Sequence, residues 1–263
     1  VVWHLAWTLG TFHHRRGRRH DDLTAWRAAL DAAAFLPDAT HRIAAHRLLG
    51  DAHAELGRHD EAVAHLHEAL ALAEHHHDPV QRATTHHAIA EAWESQGDDR
   101  RALEHVHHAL DIYRTLDHPV WEAEALNAVG WFAARLGDYD TARDHCRNAL
   151  TLCRRHHHLD GEAATLDSLG YIEHHTGRHQ RAVHHYHQAL ALYRTLGNAS
   201  EAANTLDNLG HPHAALGTHD QARAAWREAV ELYREQGRDA DAERVQRQLD
   251  DLHGAADAGR GTA

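Results

Sequence analysis

The stretch ALNAVGWFAARLGDYDTA at residues 125–142 decides the fold. It holds a small residue at Gly130, a second glycine at Gly137, an aspartate at Asp140 and another small residue at Ala142. Forty residues upstream the same places are Ala90, Gly97, Arg100 and Ala102, and forty downstream they are Gly170, Gly177, Gln180 and Ala182. The register runs from residue 1 to residue 240 with nothing inserted or deleted. Numbered as columns of a forty-residue block, column 17 is Gly17, Gly57, Gly97, Gly137, Gly177 and Gly217, and column 29 is alanine throughout. A fixed period of this size is the signature of a solenoid, in which each unit buries its apolar face on the next. Function is then first a question of what the stacked surface binds.

Each block divides at its column-17 glycine into a helix A, over roughly columns 1 to 15, and a helix B, over roughly columns 20 to 36. Glycine ends helix A because the chain passes there through a left-handed conformation. Asp60, Asp140 and Asp220, three residues later, are expected to cap helix B, while Asp38 and Asn198 read as caps between blocks. Pro79 and Pro119 suit a first helical turn. Columns 10, 22 and 29 are small, with Asp22 the lone exception, and columns 9 and 26 are mostly large. Column 9 reads Leu9, Leu49, Ile89, Val129, Leu169 and Leu209; column 26 reads Trp26, Leu66, Val106, Cys146, Tyr186 and Trp226. This alternation on two antiparallel helices resembles the tetratricopeptide repeat in a forty-residue form. It implies an all-α, α–α superhelix of six helix-turn-helix repeats at 1–40, 41–80, 81–120, 121–160, 161–200 and 201–240.

Residues 241–253 read as a capping helix that closes a single domain over 1–253, and 254–263 as a flexible tail. Val1, Val2, Trp3, Leu5 and Trp7 make the first helix too apolar for a free surface, so an upstream element is expected to pack on it. The chain has no Met, which reads as a piece of a longer protein. The formal charge of −12 lacks the basic footprint of a nucleic-acid binder. With no apolar run near the roughly 20 residues of a membrane span and no signal peptide, a cytoplasmic place is expected. Cys146 and Cys153 stand about 10 Å apart along one helix, too far to bridge, and read as small buried hydrophobes.

The A-helix face, columns 4, 7, 11 and 14, would line a concave groove. It carries Arg47, Asp51, Glu91, Glu94, Glu124, Asn127, Trp131, Asp167, Tyr171 and Asp207. An acidic stripe with Trp131 and Tyr171 at its middle suits a basic or amphipathic partner, since exposed aromatics dominate binding hot spots. On this reading Trp131→Ala weakens partner binding and spares the fold. The other reading makes both rings props between helices.

Histidine is the second compositional oddity, 33 in number. His65, His105, His145 and His185 stack in column 25, read as an outer face of helix B. One pair at i, i+4, His175 and His179, straddles the Gly177 turn, and no HExxH occurs, so no metal is expected. Full protonation would carry the formal charge from −12 to +21. Arg15, Arg16, Arg18 and Arg19 read as a solvated turn.

No catalytic constellation emerges. All 27 basic residues are Arg, so there is no Walker, Schiff-base or kinase Lys, and no serine stands in a nucleophile elbow. The chain is expected not to be an enzyme and to need no cofactor.

The strings HLAWTLGTFHHRRG at 4–17, AHRLLGDAHAELGRHDEA at 45–62, ALNAVGWFAARLGDYDTA at 125–142 and TLDSLGYIEHHTGRH at 165–179 resemble one group. They are similar to the C-terminal tetratricopeptide arrays of actinobacterial regulators of the SARP type, in which an NB-ARC (STAND) nucleotide-binding switch precedes the array. The resemblance implies a regulatory sensor module that binds protein or peptide, including the upstream nucleotide-binding domain of the same chain, without touching DNA itself. The sequence departs from the pattern at Pro212, which removes a hydrogen bond inside a helix A and is expected to kink it. A free-standing receptor for a short peptide or small ligand is the alternative.

Overall fold

The computed structural model describes residues 2–16 and 19–260; among them are thirteen α-helices and no strand. The A helices are α1 (Val2–Arg15), α3 (Ala39–Glu55), α5 (Pro79–Ser95), α7 (Pro119–Arg135), α9 (Leu159–His175) and α11 (Ala199–Ala215). The B helices are α2 (Arg19–Ala33), α4 (His59–His75), α6 (Asp99–Thr115), α8 (Tyr139–Arg155), α10 (His179–Leu196) and α12 (His219–Glu235), and α13 (Asp239–Arg260) closes the chain. The chain divides into two compact units whose boundary in sequence falls between Gly161 and Glu162.

Both kinds of turn follow from backbone sterics. Gly57, Gly97, Gly137, Gly177 and Gly217 have φ between +70° and +88°, where a Cβ is penalised. Gly17 lies outside the described residues. The turns that close the second, third and fourth repeats take the same conformation at column 37, where His77, Asp117 and His157 adopt it at φ 52°, 48° and 55° without being glycine, whereas the first repeat carries Pro37 there. Gly197 and Gly237 fill the column in the last two repeats.

Pro79 and Pro119 start α5 and α7, and Asp38 and Asn198 cap α3 and α11. Asp60, Asp140 and Asp220 are not caps. Helix B begins sooner than the column-20 aspartates suggest, immediately after column 18, so these acids sit in the first turn and face the helix dipole instead. The capping carboxylates are Asp98 and Asp138, which accept from Arg101 N and Thr141 N at 3.1 and 3.2 Å.

Helix A and helix B of a repeat meet through columns 10 and 26. A Cβ placed on Gly50 would lie 2.5 Å from Leu66 Cγ, and one on Gly170 would lie 2.6 Å from Tyr186 Cε1. Repeat three carries Ala90 there and opposes it with the shorter Val106, so volume is conserved across the contact. Every column-29 alanine is fully buried. The B helix then packs on the next A helix. Trp26 of α2 clusters with Leu49 and Ala52 of α3; Leu66 of α4 clusters with Ile89 and Ala92 of α5. Val106, Leu110 and Tyr113 of α6 cluster with Ala125, Val129 and Phe132 of α7.

Pro212 sits inside α11, which stays continuous from Ala199 to Ala215. The ring occupies buried column 12, the place of Ala52, Ala92, Phe132 and Ile172, so apolar packing holds the helix together where one donor is lost. Cys146 and Cys153 are free and buried, and burial pushes the Cys146 thiol up to about 12. α13 buries Ala242, Val245 and Leu249 and extends past residue 253, where the composition ends the cap, because helix-favouring Ala255 and Ala256 follow.

Candidate functional site

The A-helix face of the first unit is built from α1, α3, α5 and α7. At its N-terminal end a pocket of about 410 Å³ opens between α1, α3 and α5, lined by Trp3, His4, Trp7, Thr8, Thr40, His41, Ala44, Arg47 and Gln81. Its walls are aromatic. Trp3 lies 5.9 Å from Trp7 and meets the His41 ring edge-on at 5.0 Å, while Trp7 meets Trp26 edge-on at 5.7 Å. Its polar groups are incompletely matched. Arg47 Nη1 is 3.7 Å from Asp51 Oδ2, yet Arg47 Nε and Gln81 Oε1 are buried with no hydrogen-bond partner. A concave apolar site with a few convergent polar groups is the usual form of a ligand pocket.

Further along the same face the expected acids are already engaged. Glu94 accepts from Trp131 Nε1 at 2.6 Å and from Arg135 Nη1 at 3.2 Å, and Arg135 Nε reaches Asp99 at 2.8 Å. Burial raises the Glu94 pKa above the usual carboxylate range, and the Trp131 bond and Arg135 charge oppose that rise. His158 Nε2 lies 2.8 Å from Glu124, a bond that raises the histidine's pKa against burial. Burial disfavours a charged His87, but its bond to Glu91 and the nearby Glu124 and Asp51 outweigh it, and its pKa is raised. Asn127 Oδ1 accepts a weak bond from Cys146 Sγ at 3.7 Å. The stripe is thus a ladder of ion pairs rather than a bare negative surface.

Trp131 is half-buried against the cluster of Val106, Leu110 and Val129, with its indole N–H on Glu94. Column 11 is therefore a packing column here, which corrects the expectation that Trp131→Ala spares the fold. The ring is large enough to reach from α7 to α5.

In the second unit, Asp167 is partly buried. It accepts from Thr205 Oγ1 at 2.8 Å and Asn208 Nδ2 at 3.4 Å, and burial lifts its pKa to about 7. Asp207 is buried too, paired with Arg244 Nη2 of α13 at 2.7 Å, and its carbonyl takes the Trp226 indole N–H at 3.0 Å. The Tyr171 ring lies on His175 at 3.9 Å. These residues were expected in the groove because their columns match. The columns do not reveal that neighbouring side chains cover them.

The column-25 histidines are not on an outer face. His65 and His105 are half-buried and meet His46 and His86 of helix A, Nδ1 to Nδ1, at 3.0 Å in both repeats. His145 stands in the same column with its Nδ1 buried and without a hydrogen bond. Among the described residues no group of three or more histidines, cysteines or acids can hold a metal, and no helix is long and apolar enough to cross a membrane. Of the arginine cluster, Arg16 is exposed, and the side chains of Arg15, Arg18 and Arg19 lie outside the described residues.

Two-helix units of this kind, repeated in register, define a helical-repeat solenoid, with the pocket of about 410 Å³ on the A face of its first unit. Residues 42–115 and 121–195 match one tetratricopeptide-repeat profile and residues 202–235 match another. The chain belongs to the tetratricopeptide-repeat family. Among solved structures it is similar to a STAND protein with a tetratricopeptide-repeat sensor from Pyrococcus horikoshii, with 15% identity and a TM-score of 0.64 over 96% of this chain and 42% of that one. It is also similar to a Rap protein complexed with Competence and Sporulation Factor, with 16% identity and a TM-score of 0.67 over 97% of this chain and 75% of that one. A third is BtubC from P. vanneervenii, with 20% identity and a TM-score of 0.62 over 81% and 90% of the two chains. At these identities the likeness concerns the fold. No curated protein matches the chain.

Proposed function

We propose that this chain is the partner-binding regulatory module of a larger cytoplasmic bacterial transcription regulator of the SARP type, with a nucleotide-binding switch of the same polypeptide among its partners. The pocket between Trp3, Trp7 and Arg47 carries the reading. An apolar side chain of a peptide or helix enters between the two indoles, while Arg47 Nε and Gln81 Oε1 take its backbone polar groups. The likeness to a STAND protein's sensor array supports the larger-regulator context.

Peptides selected by display against the chain test it. Thr8→Trp, which fills the pocket from an exposed position, and Arg47→Leu are expected to weaken them tenfold or more, with unchanged melting. Binders indifferent to both would overturn the reading. A second reading, a free-standing peptide receptor, draws on solved neighbours described in complex with a competence factor and with the Phr* peptide. The full reading frame separates the two: a nucleotide-binding domain directly upstream favours the first.

A further inference from the structure

Columns 5, 9 and 12 of helix A behave alike in every repeat but the first. They are Ala45, Leu49 and Ala52 in α3, Thr85, Ile89 and Ala92 in α5, and Ala125, Val129 and Phe132 in α7, none more than 4% exposed. The B helix of the preceding repeat covers them, through Trp26 on α3, Leu66 on α5, and Val106, Leu110 and Tyr113 on α7. In α1 the same columns are Leu5, Leu9 and Phe12, exposed by 58%, 41% and 49%. Their spacing of i, i+4 and i+7 makes one continuous ridge, on a face of α1 other than the one that lines the pocket. Three adjacent large apolar side chains left open on one helix mark an interface rather than scattered exposure.

We propose that this ridge is a docking surface for a helical hairpin of the same repeat kind, whose B helix presents apolar residues at i, i+4 and i+7 in the geometry of Val106, Leu110 and Tyr113. The surface continues, without change of column, an interface the chain already builds between α2 and α3, α4 and α5, and α6 and α7. Leu5 and Phe12 are larger than most of their equivalents, so the partner helix carries a smaller side chain, Val or Ala, opposite each. Head-to-tail stacking of a second copy does not supply it: α13 turns Ala242, Val245 and Leu249 inward and exposes Glu243, Arg244, Arg247 and Asp250.

The test joins a second copy of residues 81–120 in register ahead of Val1 and compares melting and sedimentation with the unfused chain. The fusion is expected to raise Tm by about 5 °C. Val106→Asp with Leu110→Asp in the added copy, or Leu5→Asp with Phe12→Asp in α1, are expected to remove that gain. In the unfused chain the α1 pair is expected to shift Tm by no more than about 1 °C, since those side chains already face water. An unchanged Tm in the fusion, or a gain that survives Leu5→Asp with Phe12→Asp, would overturn the proposal. So would an unfused chain that sediments as a dimer and is dispersed by the α1 pair, because a second copy would then own the ridge.

Discussion

Lowering the pH from 7.5 to 5 is expected to loosen the first unit through the histidines between its helices, and His86 allows the size to be worked out. Its ring is half-buried between α5 and α6, with His105 Nδ1 at 3.0 Å, the His108 ring at 5.1 Å and Arg82 nearby. Burial first, then those three positive or protonatable neighbours, lower its pKa from 6.5 to about 4. An Nδ1-to-Nδ1 bond needs one lone pair, so both rings cannot be protonated while it lasts. Between pH 6.5 and 4 the unfolded chain binds a proton that the folded chain refuses, so the stability present above 6.5 is lost as the pH falls. At pH 5 the shift corresponds to about 2 kcal/mol, and about half of that remains after allowing for solvent around a half-buried ring. His46, His65 and His105 shift in the same direction, also by burial first, whereas His87 and His158 shift the other way and offset part of the loss. Urea unfolding at pH 7.5, 6 and 5 measures the slope. Column 6 holds Leu126, Leu166 and Leu206 in the later repeats, so His86→Leu copies a side chain the fold already accepts there. It is expected to remove about 1 kcal/mol of the pH-dependent loss. An unchanged slope in His86→Leu, or a His86 ring that titrates near 6.5 by NMR, would refute the reasoning.

Asp167→Asn is expected to work with the opposite sign: the acid's pKa is raised from 3.8 to about 7 by burial, so the amide stabilises at pH 8 by about 1–2 kcal/mol, and chemical denaturation should show the gain shrink as the pH falls below 7 and vanish only near 3.8. His157→Gly relieves a left-handed backbone at φ 55° and is expected to add about 1 kcal/mol, while Gly137→Ala, at φ +88° with open space around it, costs about the same; paired thermal melts check both. Gly50→Ala forces its methyl to 2.5 Å from Leu66 Cγ and is expected to cost about 1–3 kcal/mol, with Leu66→Val restoring most of it in a double-mutant cycle. Trp131→Ala should lower stability by about 3 kcal/mol through lost packing, and Trp131→Phe by less, with the difference reporting the Glu94 bond.

The repeat, its helices and its turns were legible because they rest on local physics. A left-handed turn selects glycine at Gly57 or Gly137, and a close helix crossing selects Gly50 opposite Leu66. A fixed period shows the first choice six times over and the second five times, with Ala90 in the remaining repeat. What the columns could not show is whether a side chain at a surface position is covered by its neighbours. Asp167 and Asp207 share a column with Arg47, yet Thr205 and Asn208 engage the first acid and Arg244 the second, while Arg47 keeps an unpaired Nε on a pocket. Trp131 looked like an anchor until its ring proved to rest on the α6–α7 cluster, and the pocket opened instead at Trp3 and Trp7, already conspicuous as apolar. His65 and His105 looked solvated because their partners, His46 and His86, stand nineteen residues earlier on another helix. Sequence alone thus determined the architecture, since each unit repeats the same short-range constraints. Only the tertiary structure decided which charges, rings and ridges remain open to a partner, because that depends on side chains brought together across helices.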